Sequence, residues 1–212
     1  MSDDDARPYS PVSELNLLRD FETSLEGQFF APGFELFEFG DDLDWFCGDL
    51  PDAALDRLIP FAYATSSGSY YALWRCDDRA DLATLPVIFF GDEGDLALEA
   101  DGLRELFRLL AAEPEDPEDR ADLAPAGEKY RAWLRENFGL TPLDTHTGTG
   151  SDSDSDSDSD EASNRAELTR QFACWIAEFA SEELLDQVLG LLDLDREALG
   201  EGSEGRGLGA AS

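Results

Sequence analysis

Apolar residues first recur at helical spacing near the start of the chain. Val12, Leu15, Leu18, Phe21 and Leu25 follow at three- and four-residue steps, the stripe of a helix with one buried face. Pro11 suits its first turn. Gln28 to Phe30 reads as a short strand, Pro32-Gly33 as a turn and Phe34 to Phe39 as an imperfectly alternating strand. Asp41 to Cys47 is an acidic loop with an aromatic anchor, and Pro51 to Leu58 a short helix. From Ile59 the pattern becomes denser. Ile59–Ala64 and Tyr70–Cys76 are apolar, aromatic runs around the turn cluster Thr65-Ser66-Ser67-Gly68-Ser69, which predicts a β-hairpin. Val87–Phe90 is wholly apolar and predicts an interior strand. After the turn Gly91-Asp92-Glu93-Gly94, residues 95–99 alternate. Asp101 then stands where an N-cap belongs. Leu103, Leu106, Phe107 and Leu110 supply the next helical face.

Residues 114–125 read as a polar connection punctuated by proline. A helix is expected over 127–137, with Tyr130, Trp133 and Leu134 on one face, Gly139 at its C′ position and Pro142 beyond. Residues 151–160 are a strict Ser-Asp repeat, self-repelling and expected to be disordered. Leu168, Phe172, Trp175, Ile176 and Phe179 then make an apolar helical stripe. Ser181 begins another, carried by Leu184, Leu185, Val188, Leu189 and Leu192. Helices of this kind draw most of their stability from burying such a stripe.

The pattern predicts an α+β fold: a mixed, mainly antiparallel sheet of about four to six strands, flanked by helices, with a C-terminal helical hairpin. The expected organisation is a loose N-terminus over 1–9, an α+β domain over 10–142 and a Thr/Gly and Ser-Asp linker over 143–161. The helical hairpin follows over 162–199, and a Gly-rich tail over 200–212.

The segments IPFAY, SSG, YYALW, PVIFF with its acidic glycine turn, and LRELFRLL carry a resemblance, echoed at 130–140. Together they resemble the SUKH superfamily, which includes fungal cell-wall-assembly regulators and bacterial immunity proteins of polymorphic toxin systems. The likeness covers about half of the chain and lies in core and turn positions. It implies a mixed sheet flanked by helices and a binding role with no catalytic residues.

Charge narrows the function. The formal net charge is −34, with 49 acids against 15 Lys and Arg. Only six of the acids lie in 151–161, so the acidity runs through the whole chain. Such a surface repels nucleic acid and anionic membranes, because phosphate binding relies on Lys and Arg releasing counterions. Two explanations remain: a basic protein partner, such as a nuclease whose cleft carboxylates would block, or solvation in a salt-rich cytoplasm. The bias to arginine, with Lys129 the single lysine, fits the second. The three cysteines, Cys47, Cys76 and Cys174, lie in apolar contexts without a CxxC pair and read as buried free thiols. No segment reads as a signal peptide or a membrane span, so a cytoplasmic location is expected.

Catalytic signatures fail inspection. His146 is the single histidine and sits in the linker, which leaves no Ser-His-Asp triad or multi-histidine metal site in the expected fold. The Ser-Asp repeat places Ser157 and Ser163 where a calcium loop begun at Asp152 needs Gly and Glu. The glycines at 91 and 94 lack the spacing of phosphate-binding loops, and no glycine lies two residues before Ser66 or Ser67. The expectation is a non-enzymatic binding protein without cofactor or metal. Its candidate partner-facing residues are Asp41, Asp42, Asp44, Tyr71, Asp77, Asp78, Asp81, Asp92, Glu93 and Asp95. Tyr71 enters because Tyr70 and Tyr71 point to opposite sides of a strand.

Overall fold

The computed structural model describes residues 8–41, 52–92, 96–114, 116–143 and 157–179, with the pairs 185–186 and 189–190; side chains of the last helix are described from Asn164. The chain divides into two compact units, one holding residues up to 154 apart from 49–51, the other holding 49–51 and residues from 155.

The first unit is α+β. Helix α1 (Ser13–Ser24) buries Leu15, Leu18 and Phe21, with Val12 and Leu25 buried at its ends. It starts after Pro11 because Asn16 grips the entering chain: the Ser10 N–H donates to Asn16 Oδ1 at 2.8 Å, and Asn16 Nδ2 donates back to the Ser10 carbonyl. Strands β1 (Glu35–Leu36), β2 (Leu58–Tyr63), β3 (Tyr70–Trp74), β4 (Val87–Phe90) and β5 (Leu96–Ala100) form one sheet in chain order. Each is antiparallel to its neighbour. The mainly antiparallel sheet of about four to six strands expected from the pattern is therefore present, with β4 an interior strand. One-turn helix α2 (Asp52–Leu55) precedes β2 and is shorter than expected, because Leu58 already pairs with Trp74. A 3₁₀ turn (Leu82–Thr84) joins β3 to β4.

Helix α3 (Leu103–Leu110) follows β5 and buries Leu103, Leu106 and Phe107, while Leu110 is half-buried. Its N-cap is Gly102 and not Asp101. The backbone passes so close to the 3₁₀ turn here that a Cβ on Gly102 would lie 3.1 Å from the Ala83 carbonyl. Helix α4 (Pro117–Phe138) takes in most of the expected polar connection. Asp116 caps it by accepting the Glu118 N–H at 2.7 Å, Pro117 takes the first position, and Pro125 lies inside. Its first turns are nearly all exposed, so no apolar stripe announced them; Asp-Pro is a helix start as well as a turn signal.

α1, α3 and α4 share one core with Phe34, Leu36, Phe61, Tyr71, Leu73 and Val87. Tyr130 of α4 is its hub. The ring stacks on Phe30 at 4.1 Å and lies 5.6 Å from Phe21, and its hydroxyl donates to the Phe107 carbonyl of α3. The strand expected at Gln28–Phe30 is absent for this reason: Phe30 anchors the loop in an aromatic cluster, not in a ladder. Residues 34–39 form a ladder strand only at Glu35–Leu36, although Phe37 and Gly40 still donate backbone N–H groups to the carbonyls of Phe61 and Pro60.

In the second unit, α5 (Ser157–Phe179) buries Leu168, Phe172, Ala173, Trp175 and Ile176. It starts inside the Ser-Asp repeat, where a linker was expected. Extending a formed helix by a residue costs far less than nucleating one. The second helix of the expected hairpin falls largely outside the described residues, as do the N-terminal and Gly-rich tails, residues 144–156 and Cys47. Cys76 and Cys174 are free and half-buried.

Gly33 tests the packing of the β1 turn. It has φ +64°, and an added Cβ would lie 2.5 Å from the Ser66 backbone nitrogen. Gly139 caps α4 at φ +67° with open space around it. Gly33→Ala is expected to cost about 2 kcal/mol or more, lowering Tm by about 4–8 °C. Gly139→Ala should cost only about 1–2 kcal/mol. Thermal unfolding of the two variants checks the order.

Candidate functional site

The sheet separates the sequence-predicted acids into two groups. Tyr70 pairs with Phe90, so the 64–69 loop and Asp92 lie at one end of the strands. Leu58 pairs with Trp74, so residues 75–81 lie at the other, the end toward which the chain runs from Gly40 to Asp41 along Pro60. β3 has five residues, which at about 3.4 Å each puts the two ends roughly 14 Å or more apart. Asp42, Asp44, Glu93 and Asp95 lie outside the described residues.

Most of the described candidates also have local structural work. Asp77 and Arg79 form a fork: Asp77 Oδ1 accepts the Arg79 backbone N–H at 3.0 Å and Nε–H at 2.7 Å, and Oδ2 accepts Nη2–H at 2.5 Å. Arg79 Nη1 reaches on to the Thr84 carbonyl at 2.7 Å. The side-chain bond from Arg79, then its backbone bond, holds the Asp77 carboxyl down at about 2. Arg79 Nη2 also approaches Cys76 Sγ at 3.7 Å, while burial still pushes that thiol up. Asp81 caps the 3₁₀ turn, accepting the Ala83 N–H. Asp92 accepts from the Ser69 hydroxyl and donates its own N–H back to that oxygen, stapling two turns together. Asp41 and Asp78 are exposed.

Tyr71 is a core residue. It is 8% exposed, packs in the shared core and lies 5.9 Å from the Phe89 ring. Burial, and then the charge of Glu99, drives its hydroxyl pKa upward. Tyr70 is fully buried on the opposite face, so neither member of the pair is the exposed anchor that strand alternation suggested.

The structure assembles an acidic site from residues that chain order separates. The first turns of α1 and α3 meet the 3₁₀ turn at the Asp77–Asp81 end. They enclose an open cleft of about 370 Å³ lined by Glu14, Asp81, Asp101, Glu105 and Arg104, with Gly102, Ala83 and Thr84. Arg104 lies 3.7 Å from Glu14, and Glu105 accepts the Asp101 N–H at 2.5 Å. Four carboxylates against one guanidinium leave the cleft negative. It is formed partly by backbone held close at Gly102. Of these residues the pattern singled out only Asp81 for binding. Glu14 and Glu105 each sit in the first turn of a helix, a common place for acids that favours the helix dipole, so nothing local marked them.

Among the described residues, no group of three or more His, Cys, Asp or Glu is placed to hold a metal ion. Also among them, no helix is long and apolar enough to cross a membrane. Comparison with protein-family models, curated proteins and solved structures finds no match for this chain.

Two measurements check this assignment of roles. Tyr71→Ala is expected to destabilise the fold by about 3–5 kcal/mol, as truncation of a large core aromatic does; denaturant unfolding reads it. The Asp77 fork stabilises its loop above the ordinary carboxyl value of 3.8, and that contribution is lost as pH falls through about 2. The Asp77 carboxyl carbon should titrate with a midpoint near about 2 by NMR. A midpoint near 3.8, the ordinary value, means that the fork does not form in solution.

Proposed function

We propose that this protein is a non-enzymatic protein-binding domain that resembles the SUKH immunity proteins and neutralises a cognate toxin by direct binding, a basic nuclease being one such target. The observation that carries this reading is the acidic cleft at the α1–α3 end of the sheet, with Glu14, Asp81, Asp101 and Glu105 converging on one opening. Exposed Asp77 and Asp78 lie on the neighbouring loop. A nuclease meets phosphate with Lys and Arg, and a carboxylate-lined surface offers those groups an alternative partner. The net charge of −34 steers a basic protein toward it at low ionic strength. Five antiparallel strands with helices on one face agree in outline with the resemblance carried by the strand and helix segments.

One observation favours a second reading, a regulatory or scaffold protein of the same fold in a high-salt cytoplasm. Described acids lie at both ends of the sheet, and several are committed to caps and turns. Acidity spread in this way suits hydration of the whole surface as well as recognition.

The two readings separate in a pull-down with the full chain from lysate of its source, at low and high salt. It is run in parallel with a Glu14→Lys/Asp78→Lys variant. The toxin-binding reading expects one dominant, stoichiometric, basic partner, released by salt and held at least about tenfold more weakly by the variant, or about 1.4 kcal/mol. Equal retention by both proteins removes the cleft from the interface. No partner, or a set of house-keeping proteins, overturns toxin neutralisation in favour of the scaffold.

A further inference from the structure

Among the described residues, strand β1 stands at the edge of the sheet, with β2 as its one neighbour. Along an antiparallel strand, alternate residues direct both backbone groups at the partner, and the residues between direct theirs outward. The Phe37 N–H donates to the Phe61 carbonyl at 3.1 Å, so Glu35 and Phe37 face β2, and Phe34, Leu36 and Glu38 face out. An outward row of this kind is a template for another strand.

Here the centre of the row is occupied from within. Leu36, at the centre, has both groups taken by α1: its N–H donates to Glu22 Oε1 at 2.9 Å, and its carbonyl accepts from Arg19 Nη1 at 2.8 Å. The two side chains pair with each other at 2.9 Å. On either side, the Phe34 N–H turns back to the Ala31 carbonyl at 3.4 Å, and the Glu38 carbonyl accepts the Asp41 N–H at 3.2 Å. A residue of an added strand would offer Leu36 one acceptor and one donor. A carboxylate and a guanidinium three residues apart on a helix offer the same two groups, because that spacing places both on one face.

We infer that Arg19 and Glu22 act together as a strand surrogate, occupying the outward amide pair of β1 and keeping a second copy of this chain from pairing β1 with β1 across the edge. A second copy of this chain carries the same outward pair at Leu36, so the edge can meet itself. Antiparallel β1–β1 pairing about a two-fold axis sets each strand against itself, the self-complementary contact from which closed dimers form. Mutual repulsion of the acidic chains opposes the same contact, but salt screens that repulsion, whereas the surrogate is a local contact beside a partly buried strand.

The test therefore uses the full chain at high salt. In Arg19→Met/Glu22→Leu, apolar stems of similar length replace the charged ends. The expected result is a concentration-dependent rise to twice the wild-type mass by light scattering, with the wild-type mass unchanged over the same range. A variant that keeps the wild-type circular dichroism and the wild-type mass overturns the inference. If the variant does not fold, amide hydrogen exchange on the wild-type chain decides. The outward Leu36 amide should exchange as slowly as the ladder amide of Phe37, and exchange at the rate of an open edge amide overturns the surrogate.

Discussion

Burial of β3 on both faces is the constraint on which the rest of this unit depends. Its five residues, Tyr70 to Trp74, are all buried. Tyr71 and Leu73 enter the core shared with α1, α3 and α4, while Tyr70, Ala72 and Trp74 are buried on the other side. A strand buried on both faces reads as a continuous apolar run without alternation, as YYALW does. Its neighbours follow: Tyr70 stacks on Phe90, Leu73 pairs with Val87, and β2 supplies Ile59 opposite Leu73. Once this register is set, a slip of one residue would exchange the side chains of the two faces. That fixes which loops share an end of the sheet, and so which acids can act together.

The helices organise around a second, smaller focus. Phe21, Phe30, Tyr130 and Trp133 bring α1, the following loop and α4 together through ring contacts of 4.1 to 5.6 Å. Phe107 and Phe138 extend the cluster to α3 and the end of α4. Tyr130 is buried with its hydroxyl satisfied by the Phe107 carbonyl, so the cluster carries its one deeply buried phenol at little polar cost. This arrangement brings the first turns of α1 and α3 side by side, and the acidic cleft is its consequence.

The acids divide by use. Asp77, Asp81, Asp92 and Asp116 accept hydrogen bonds that hold turns or helix starts, and Glu22 closes a strand edge. A chain this acidic satisfies local backbone donors with carboxylates where others use serine or threonine. Net charge alone therefore cannot distinguish an acid that builds the fold from one that meets a partner. Geometry distinguishes them: Asp77 and Asp78 are both exposed, but Asp77 is bound into a fork with Arg79.

The sequence by itself determined the elements whose cue is local: α1 and α3 from their stripes, β2, β3 and β4 from dense apolar runs, the 65–69 turn, and Gly139 at the end of α4. It also indicated an α+β fold with a mainly antiparallel sheet. It misjudged residues 117–126, because a solvent-facing stretch of helix has no stripe to show. It misjudged Phe30, whose partner is Tyr130, far away in the chain, and Tyr71, because alternation names two faces without telling whether both are buried. Only the tertiary structure decided that Asp92 stands at the opposite end of the sheet from Asp77, and that Glu14, Asp101 and Glu105 join Asp81 around one opening. Pattern along a chain reports how a residue meets its near neighbours. Which distant segments share a surface depends on strand order, register and helix packing, and those are set by burying the apolar faces together.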